Sequence, residues 1–207
     1  VLTTRPAANL LWTGATSAVW DAIASANWQS AASADVFRSG DAVRFDDSSN
    51  VAEVFLSGAL SPSSVTVATD QAFSFGGDGS IGGAGDLIKS GTGVLSLARQ
   101  HGLSGAVQVL GGTMQLGLEA AFPAASGFLV AAGANLDVAG LNQSFTIGAL
   151  QSLTGAGTVV GDVVVNGQLQ PGNALGTLAV TGQLSLSSSS LVTMQVGTVS
   201  DLSLIHI

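Results

Sequence analysis

The sequence predicts an all-β protein built as a β-solenoid, which is a stack of similar coils. Short segments of alternating or continuous aliphatic residues recur along the chain, bounded by glycine, asparagine, serine or proline. No segment longer than a turn has the i, i+3, i+4, i+7 spacing of apolar residues that an amphipathic helix requires. Glycine supplies 28 of the 207 residues, and it suits the tight corners of stacked coils.

The predicted strands are short and follow one another along most of the chain. They lie at 64–68, 94–97, 106–110, 114–116, 135–138, 163–165, 177–181, 183–186 and 191–196. The hairpin-forming pair Asn-Gly occurs once, at Asn166-Gly167. Units such as GGTMQLG, GANLDVAG and GTLAVTGQLSL instead repeat similar content, which favours a solenoid over a sandwich or a barrel.

The composition excludes several classes of protein. Charged residues make up 9% of the chain, and 13 Asp and Glu against five Lys and Arg give a net charge of −8. All five Lys and Arg lie at or before Arg99, so no basic stripe is available for nucleic acid. No run of about 20 apolar residues is present to span a bilayer. The absence of cysteine excludes disulfides and Cys-based zinc sites.

A repeat of glycine and leucine positions occupies residues 85–117. The positions that define it are Gly85, Leu87, Lys89, Gly91, Gly93, Leu95, Leu97, Gly105, Gly112 and Leu116. This spacing resembles the passenger-associated strand repeat of bacterial autotransporters, which reads approximately G-x-G-x-L-x-K-x-G-x-G-x-L-x-L. The segments 11–47 and 167–186 resemble flanking parts of the same passengers. The resemblance implies a right-handed parallel β-helix that is exported through the outer membrane and followed by a C-terminal translocator barrel.

We expect five regions along the chain. They are an N-terminal leader or linker (1–10), an N-terminal cap with the first coils (11–84), the strand repeat (85–117), further β-helix coils (118–201) and a tail (202–207). The tail reads LSLIHI and resembles a translated sequencing adapter. We therefore expect the tail to be non-native, the chain to be a fragment, and the natural protein to continue past Asp201 toward its barrel.

Trp12, Trp20 and Trp28 are the three tryptophans and follow one another at intervals of eight residues. An exposed row of this kind would stack on sugars, so these residues are a possible glycan contact. Packing as a cap over the first coil is the interpretation we favour, because the ends of a solenoid must be covered.

No set of residues has the spacing of a catalytic, metal or cofactor site. Asp46 and Asp47 are adjacent carboxylates, but neighbours on a strand point to opposite faces, and we expect turn residues that cap their own backbone. Gly77 to Gly82 matches G-x-G-x-x-G but lacks the following helix that holds a pyrophosphate. His101 has no partner residues for a metal site or a catalytic triad. We predict that the protein is not an enzyme and uses no cofactor.

These features favour a structural, surface-exposed passenger β-helix that acts as a stalk or scaffold and takes part in adhesion. The expected location is the bacterial cell surface or outer membrane, or the medium after secretion. The expected partners are the translocator barrel and a host or environmental glycan or surface, with no nucleic acid and no direct membrane span. The alternatives are a secreted β-helix polysaccharide lyase or hydrolase, and a glycan-binding module.

Overall fold

The chain winds through three faces, which a computed structural model describes for residues 5–172 and 176–195. The first sheet contains β1 (Asn9–Trp12), β3 (Trp28–Ser30), β4 (Ser33–Asp35), β5 (Ala42–Asp46), β8 (Ser64–Ala68), β11 (Asp86–Ser90), β14 (Ala106–Val109), β16 (Gly127–Val130), β19 (Ser152–Gly155), β22 (Gln168–Pro171) and β25 (Leu191–Val192). The second sheet contains β2 (Val19–Trp20), β6 (Glu53–Leu56), β9 (Phe73–Gly77), β12 (Val94–Leu97), β15 (Thr113–Leu116), β17 (Asn135–Asp137), β20 (Thr158–Val160) and β23 (Ala179–Val180).

The third face consists of two separate three-stranded sheets. One contains β7 (Ala59–Leu60), β10 (Ser80–Gly83) and β13 (Gly102–Leu103), and the other contains β18 (Phe145–Ile147), β21 (Val163–Val165) and β24 (Leu184–Leu186). The described residues contain no helix. The expected tail at 202–207 lies outside the described residues.

Successive coils stack in parallel with a step of about 22 residues. Val43 of β5 faces Val65 of β8, and Val65 faces Leu87 of β11, so that each of these coils is 22 residues long. The same column then continues through Val107, Phe128, Leu153, Leu169 and Val192. The stack has about seven turns, and the prediction of an all-β parallel β-helix is confirmed.

The core is a continuous column inside the stack, because each strand turns alternate side chains inward. Strands β8, β11 and β12 show this directly, with buried and partly exposed residues in strict alternation. Each buried Val or Leu contributes roughly 1.5–3 kcal/mol relative to an exposed one. Aliphatic residues therefore line up from coil to coil, and a coil without neighbours would lose most of this burial.

The N-terminal end differs from the rest, because it is closed by antiparallel strands. β3 pairs antiparallel with β1, and β4 pairs antiparallel with β3, so the first sheet ends there in a hairpin. Arg5 holds the preceding segment in place with two guanidinium nitrogens 2.8 and 2.7 Å from the carboxylate oxygens of Asp41. Asp41 is 1% exposed and also accepts hydrogen bonds from the backbone N–H groups of Ala8 and Arg38.

Candidate functional site

The three tryptophans pack inside the N-terminal end. Each is at most 1% exposed, and the indole Nε1–H of Trp12 donates to the carbonyl of Val51 at 2.8 Å. Trp28 lies edge-on to both of the others, with ring centroids 5.0 Å from Trp12 and 5.3 Å from Trp20. In this arrangement no ring presents a face to solvent, so the function proposed below does not use these residues to contact a glycan.

The leucines and glycines of the strand repeat have different places in the coil. The leucines point into the core and are at most 1% exposed: Leu87, Leu95, Leu97 and Leu116. The glycines lie where a coil rests on the backbone of the preceding one. A Cβ would lie closer than 3.0 Å to a backbone oxygen of that coil at Gly85, Gly91, Gly93, Gly105 and Gly112. Larger residues at these positions would push neighbouring coils apart.

Replacing Gly91 with alanine is expected to lower the free energy of unfolding by about 2 kcal/mol. Gly91 has a φ of +75°, and its added Cβ would collide with the carbonyl oxygen of Thr69. Gly76→Ala is the matched control, since Gly76 has open space around it. Urea unfolding followed by circular dichroism measures both variants, and equal stability of the two would contradict this explanation of the repeat.

Lys89 is a cation enclosed by backbone carbonyls. Its side chain is fully buried, and Nζ donates to the carbonyls of Ser90 at 2.7 Å, Gly91 at 3.1 Å and Gly111 at 3.4 Å. Burial lowers the pKa of Lys89, and the carboxylates of Asp70 and Asp47 oppose that shift. Lys89 thus joins the corners of two successive coils, a role in packing that the repeat pattern does not reveal.

The adjacent carboxylates Asp46 and Asp47 bind different partners. Asp46 accepts hydrogen bonds from the N–H and hydroxyl of Ser48 within its own turn. Asp47 instead binds the next coil, where it accepts from the hydroxyl of Thr69 and from the backbone N–H of Asp70. These two hydrogen bonds lower the pKa of Asp47. The expectation that both aspartates cap their own backbone is therefore wrong for Asp47, because the stacking of coils brings a later turn within reach.

His101 lies buried under the third face and is 1% exposed. Its Nδ1 accepts a hydrogen bond from the backbone N–H of Ile81 at 3.2 Å, and its ring centroid is 5.5 Å from that of Phe122. Nε2 has no hydrogen-bond partner among the described residues. Burial lowers the pKa of His101 from 6.5 to about 4, so the ring is neutral near pH 7.

Acidification is expected to destabilise the protein through His101. The unfolded chain takes up a proton near pH 6.5, whereas the buried ring stays neutral down to about pH 4. The contribution of His101 to the free energy of unfolding is therefore fully present above pH 6.5. It falls by up to about 3 kcal/mol as the pH is lowered to 4.

His101→Asn isolates this effect, since asparagine keeps an acceptor for the N–H of Ile81 and does not titrate. Urea midpoints between pH 4 and pH 7.5 should fall more steeply for the natural chain than for the variant. The same pH dependence in both proteins would show that His101 is not the group responsible.

A depression opens where the third face is interrupted. We call it the third-face gap: residues 118–123 and 141–146 line it, together with Gln100, Phe128, Gly148 and Gln151. Its volume is about 470 Å³. Gln151 is buried there and holds the two loops together, with Nε2 donating to the carbonyls of Phe122 and Ala125 at 2.9 Å. Sequence analysis missed this site; the available signal was the loss of the glycine–aliphatic pattern in both segments.

The described part of the chain holds no group of three or more His, Cys, Asp or Glu residues that could bind a metal ion. Within the same residues, no helix has the length and apolar character needed to cross a membrane.

Comparison with curated proteins shows a similarity to the BmaC autotransporter adhesin of Brucella suis biovar 1 (strain 1330). The two sequences are 35% identical over 168 residues, which covers 69% of this chain. The chain spans only 5% of the length of that adhesin. No protein-family model matches the sequence, and no solved structure matches it.

Proposed function

This chain is a β-solenoid segment related to autotransporter passenger domains, and we propose that it forms part of a surface-displayed passenger, where it acts as a stalk and takes part in adhesion. The observation that carries this proposal is the 35% identity to an adhesin over a stretch that folds here as stacked coils. A stalk needs a uniform rod that can be lengthened coil by coil, and nearest-neighbour stacking supplies one.

The outward surface of the rod is consistent with this role. In the first sheet, the outward column across successive coils carries mostly uncharged side chains: Arg44, Thr66, Ile88, Gln108, Leu129, Thr154 and Gln170. Few ionisable groups are thus available on this face for catalysis. The related protein is named an adhesin, which favours a non-enzymatic role over the polysaccharide lyase or hydrolase alternative.

The proposal includes the rest of the protein. In a passenger of this type, a C-terminal translocator barrel in the outer membrane carries the solenoid to the cell surface. We propose that the complete protein follows this arrangement and that the segment is displayed on the cell or released from it. Antibodies against the 207-residue chain should then label intact cells that express the complete protein. Labelling only after permeabilisation would contradict surface display.

Removal of one complete coil should shorten the stalk without abolishing adhesion. Deletion of residues 64–85 brings Asp86 into the position of Ser64 and Leu87 into that of Val65, because these residues face each other in register. Adherence of cells that display the shortened protein is expected to stay within about twofold of the natural level. The rod would lose one strand spacing, about 4.8 Å.

The matched control is a deletion of residues 64–74, about half a coil. It turns every later inward side chain toward a wrong face, and we expect loss of surface labelling and of protease resistance. If the complete-coil deletion is displayed normally but no longer adheres, this coil carries a binding site and the stalk role proposed for it is wrong.

A further inference from the structure

We propose that the third-face gap binds a short neutral oligosaccharide, with amide side chains on its rim and aromatic rings in its floor. The inference deepens the adhesive role and rests on it for its biological setting. The binding itself can be tested on the isolated chain. Its volume of about 470 Å³ lies within the range of sites for small ligands.

The gap exists because the third face loses its ladder for one coil. β13 pairs with β10 but with no later strand, and β18 pairs with β21 but with no earlier one. Between β13 and β18 the only backbone pairing among the described residues is an isolated bridge from Gln100 to Ala121. Residues 118–126 and 139–144 therefore run as loops and leave space between two regular stretches.

The floor of the gap is aromatic. Phe122, Phe128 and Phe145 are each at most 5% exposed and pack edge-on in a chain, with centroids 6.2 Å apart in the first pair and 4.9 Å apart in the second. These three residues line the depression. A sugar ring has an apolar face of C–H groups, and an aromatic floor is a favourable surface for it.

The rim supplies hydrogen-bonding groups that have no partners in the protein. Gln100, Asn142 and Gln143 are exposed, and their side-chain amides make no hydrogen bond within residues 5–172 and 176–195. Each amide offers two donor hydrogens and one acceptor oxygen. This pairing of donor and acceptor matches sugar hydroxyls, which both donate and accept.

The backbone of β18 adds one further donor and acceptor. The N–H of Phe145 donates to Asp162 at 2.9 Å, and the carbonyl of Ile147 accepts from Asn166 at 2.8 Å, so both face β21. Backbone groups alternate between the two edges of a parallel strand, so the N–H and C=O of Thr146 point toward the gap. A single residue is too short an edge for a peptide to add as a strand, which favours a sugar over a peptide.

The charges around the gap favour a neutral ligand. Glu119 is the only charged side chain in the lining, and its carboxylate lies 3.9 Å from the guanidinium of Arg99. An acidic sugar would meet the carboxylate of Glu119, and the one nearby cation is already paired with it.

The test is binding of the purified 207-residue chain to an array of neutral, sialylated and sulfated oligosaccharides. Calorimetry with the strongest neutral oligosaccharide then compares the natural chain with the double variant Asn142→Ala and Gln143→Ala. Both side chains are exposed, so the variant should fold normally, and we expect a loss of affinity of about tenfold or more. Asn50→Ala is the matched control, an exposed amide outside the gap, and should bind as the natural chain does.

Three results would overturn the inference: no binding to any neutral oligosaccharide, equal affinity of the double variant, or binding confined to sialylated or sulfated sugars. Failure of the proposed function would look different. Cells that lack surface labelling, together with intact array binding by the purified chain, would refute the passenger role and leave the sugar site standing. Deletion of residues 64–85 leaves every residue of the third-face gap in place, so it does not interfere with this test.

Discussion

Trp20→Ala is expected to lower the free energy of unfolding by about 3 to 5 kcal/mol, the range for removing a buried aromatic side chain. Trp20 is 0% exposed and lies at the centre of the aromatic cluster. Its ring centroid is 5.4 Å from that of Phe37, 5.6 Å from Phe45 and 6.2 Å from Phe75. Truncation would remove all these contacts and leave a cavity between the hairpin and the first coils.

Two further variants make this prediction specific. Trp20→Phe keeps most of the ring contacts, and it removes an indole N–H that has no hydrogen-bond partner among the described residues. Its cost should therefore be well below that of alanine. Leu150→Ala, at a side chain 97% exposed, should change stability by no more than about 0.5 kcal/mol.

Urea unfolding is followed by tryptophan fluorescence, which reports on this end of the solenoid, and by circular dichroism, which reports on all coils. If Trp20→Ala is as stable as Leu150→Ala, the cluster does not hold the N-terminal end together.

Lys89→Met is the second substitution with a large expected effect, a loss of about 3 to 5 kcal/mol in the free energy of unfolding. Methionine fills similar space but cannot donate hydrogen bonds. The carbonyls of Ser90, Gly91 and Gly111 would then lose the ammonium that now lies 2.7 to 3.4 Å from them. Each unsatisfied buried carbonyl costs about 1–3 kcal/mol.

The competing effect is desolvation, since a buried ammonium is itself unfavourable. If desolvation dominated, Lys89→Met would be neutral or more stable, and that result would refute the role given to Lys89. Arg99→Met is the control, because Arg99 is a half-exposed cation whose nearest carboxylate oxygen is 3.9 Å away. We expect it to change stability by less than about 1 kcal/mol. Urea midpoints at pH 7 compare the two variants.

Much of the fold follows from local pattern. The strands predicted at 64–68, 94–97 and 163–165 have those bounds in the structure. Alternation of aliphatic and small polar residues is a local property, so it identifies both the strand and its inward face. The repeat leucines, such as Leu87 and Leu95, are buried for the same reason.

Other elements were not predicted because their signal is weak or non-local. The strand list lacks Phe145–Ile147 and Ser152–Gly155, which are short and contain threonine, serine or glycine. It also lacks the antiparallel pair Trp28–Ser30 and Ser33–Asp35, whose turn residues Ala31 and Ala32 have positive φ values that alanine rarely adopts. Tertiary packing against β1 overrides local preference there.

The sequence by itself determined the unit of this protein: a coil of about 22 residues with aliphatic side chains inside and glycine at its corners. Only the tertiary structure decided which outward residues meet. Gln100 and Asn142 border one depression although they are 42 positions apart, and Asp47 binds Thr69 of the next coil. Such neighbours depend on the register of stacked coils, and the step varies from 25 residues between Phe128 and Leu153 to 16 between Leu153 and Leu169. A local pattern identifies each strand, but register is a sum over every loop that precedes it.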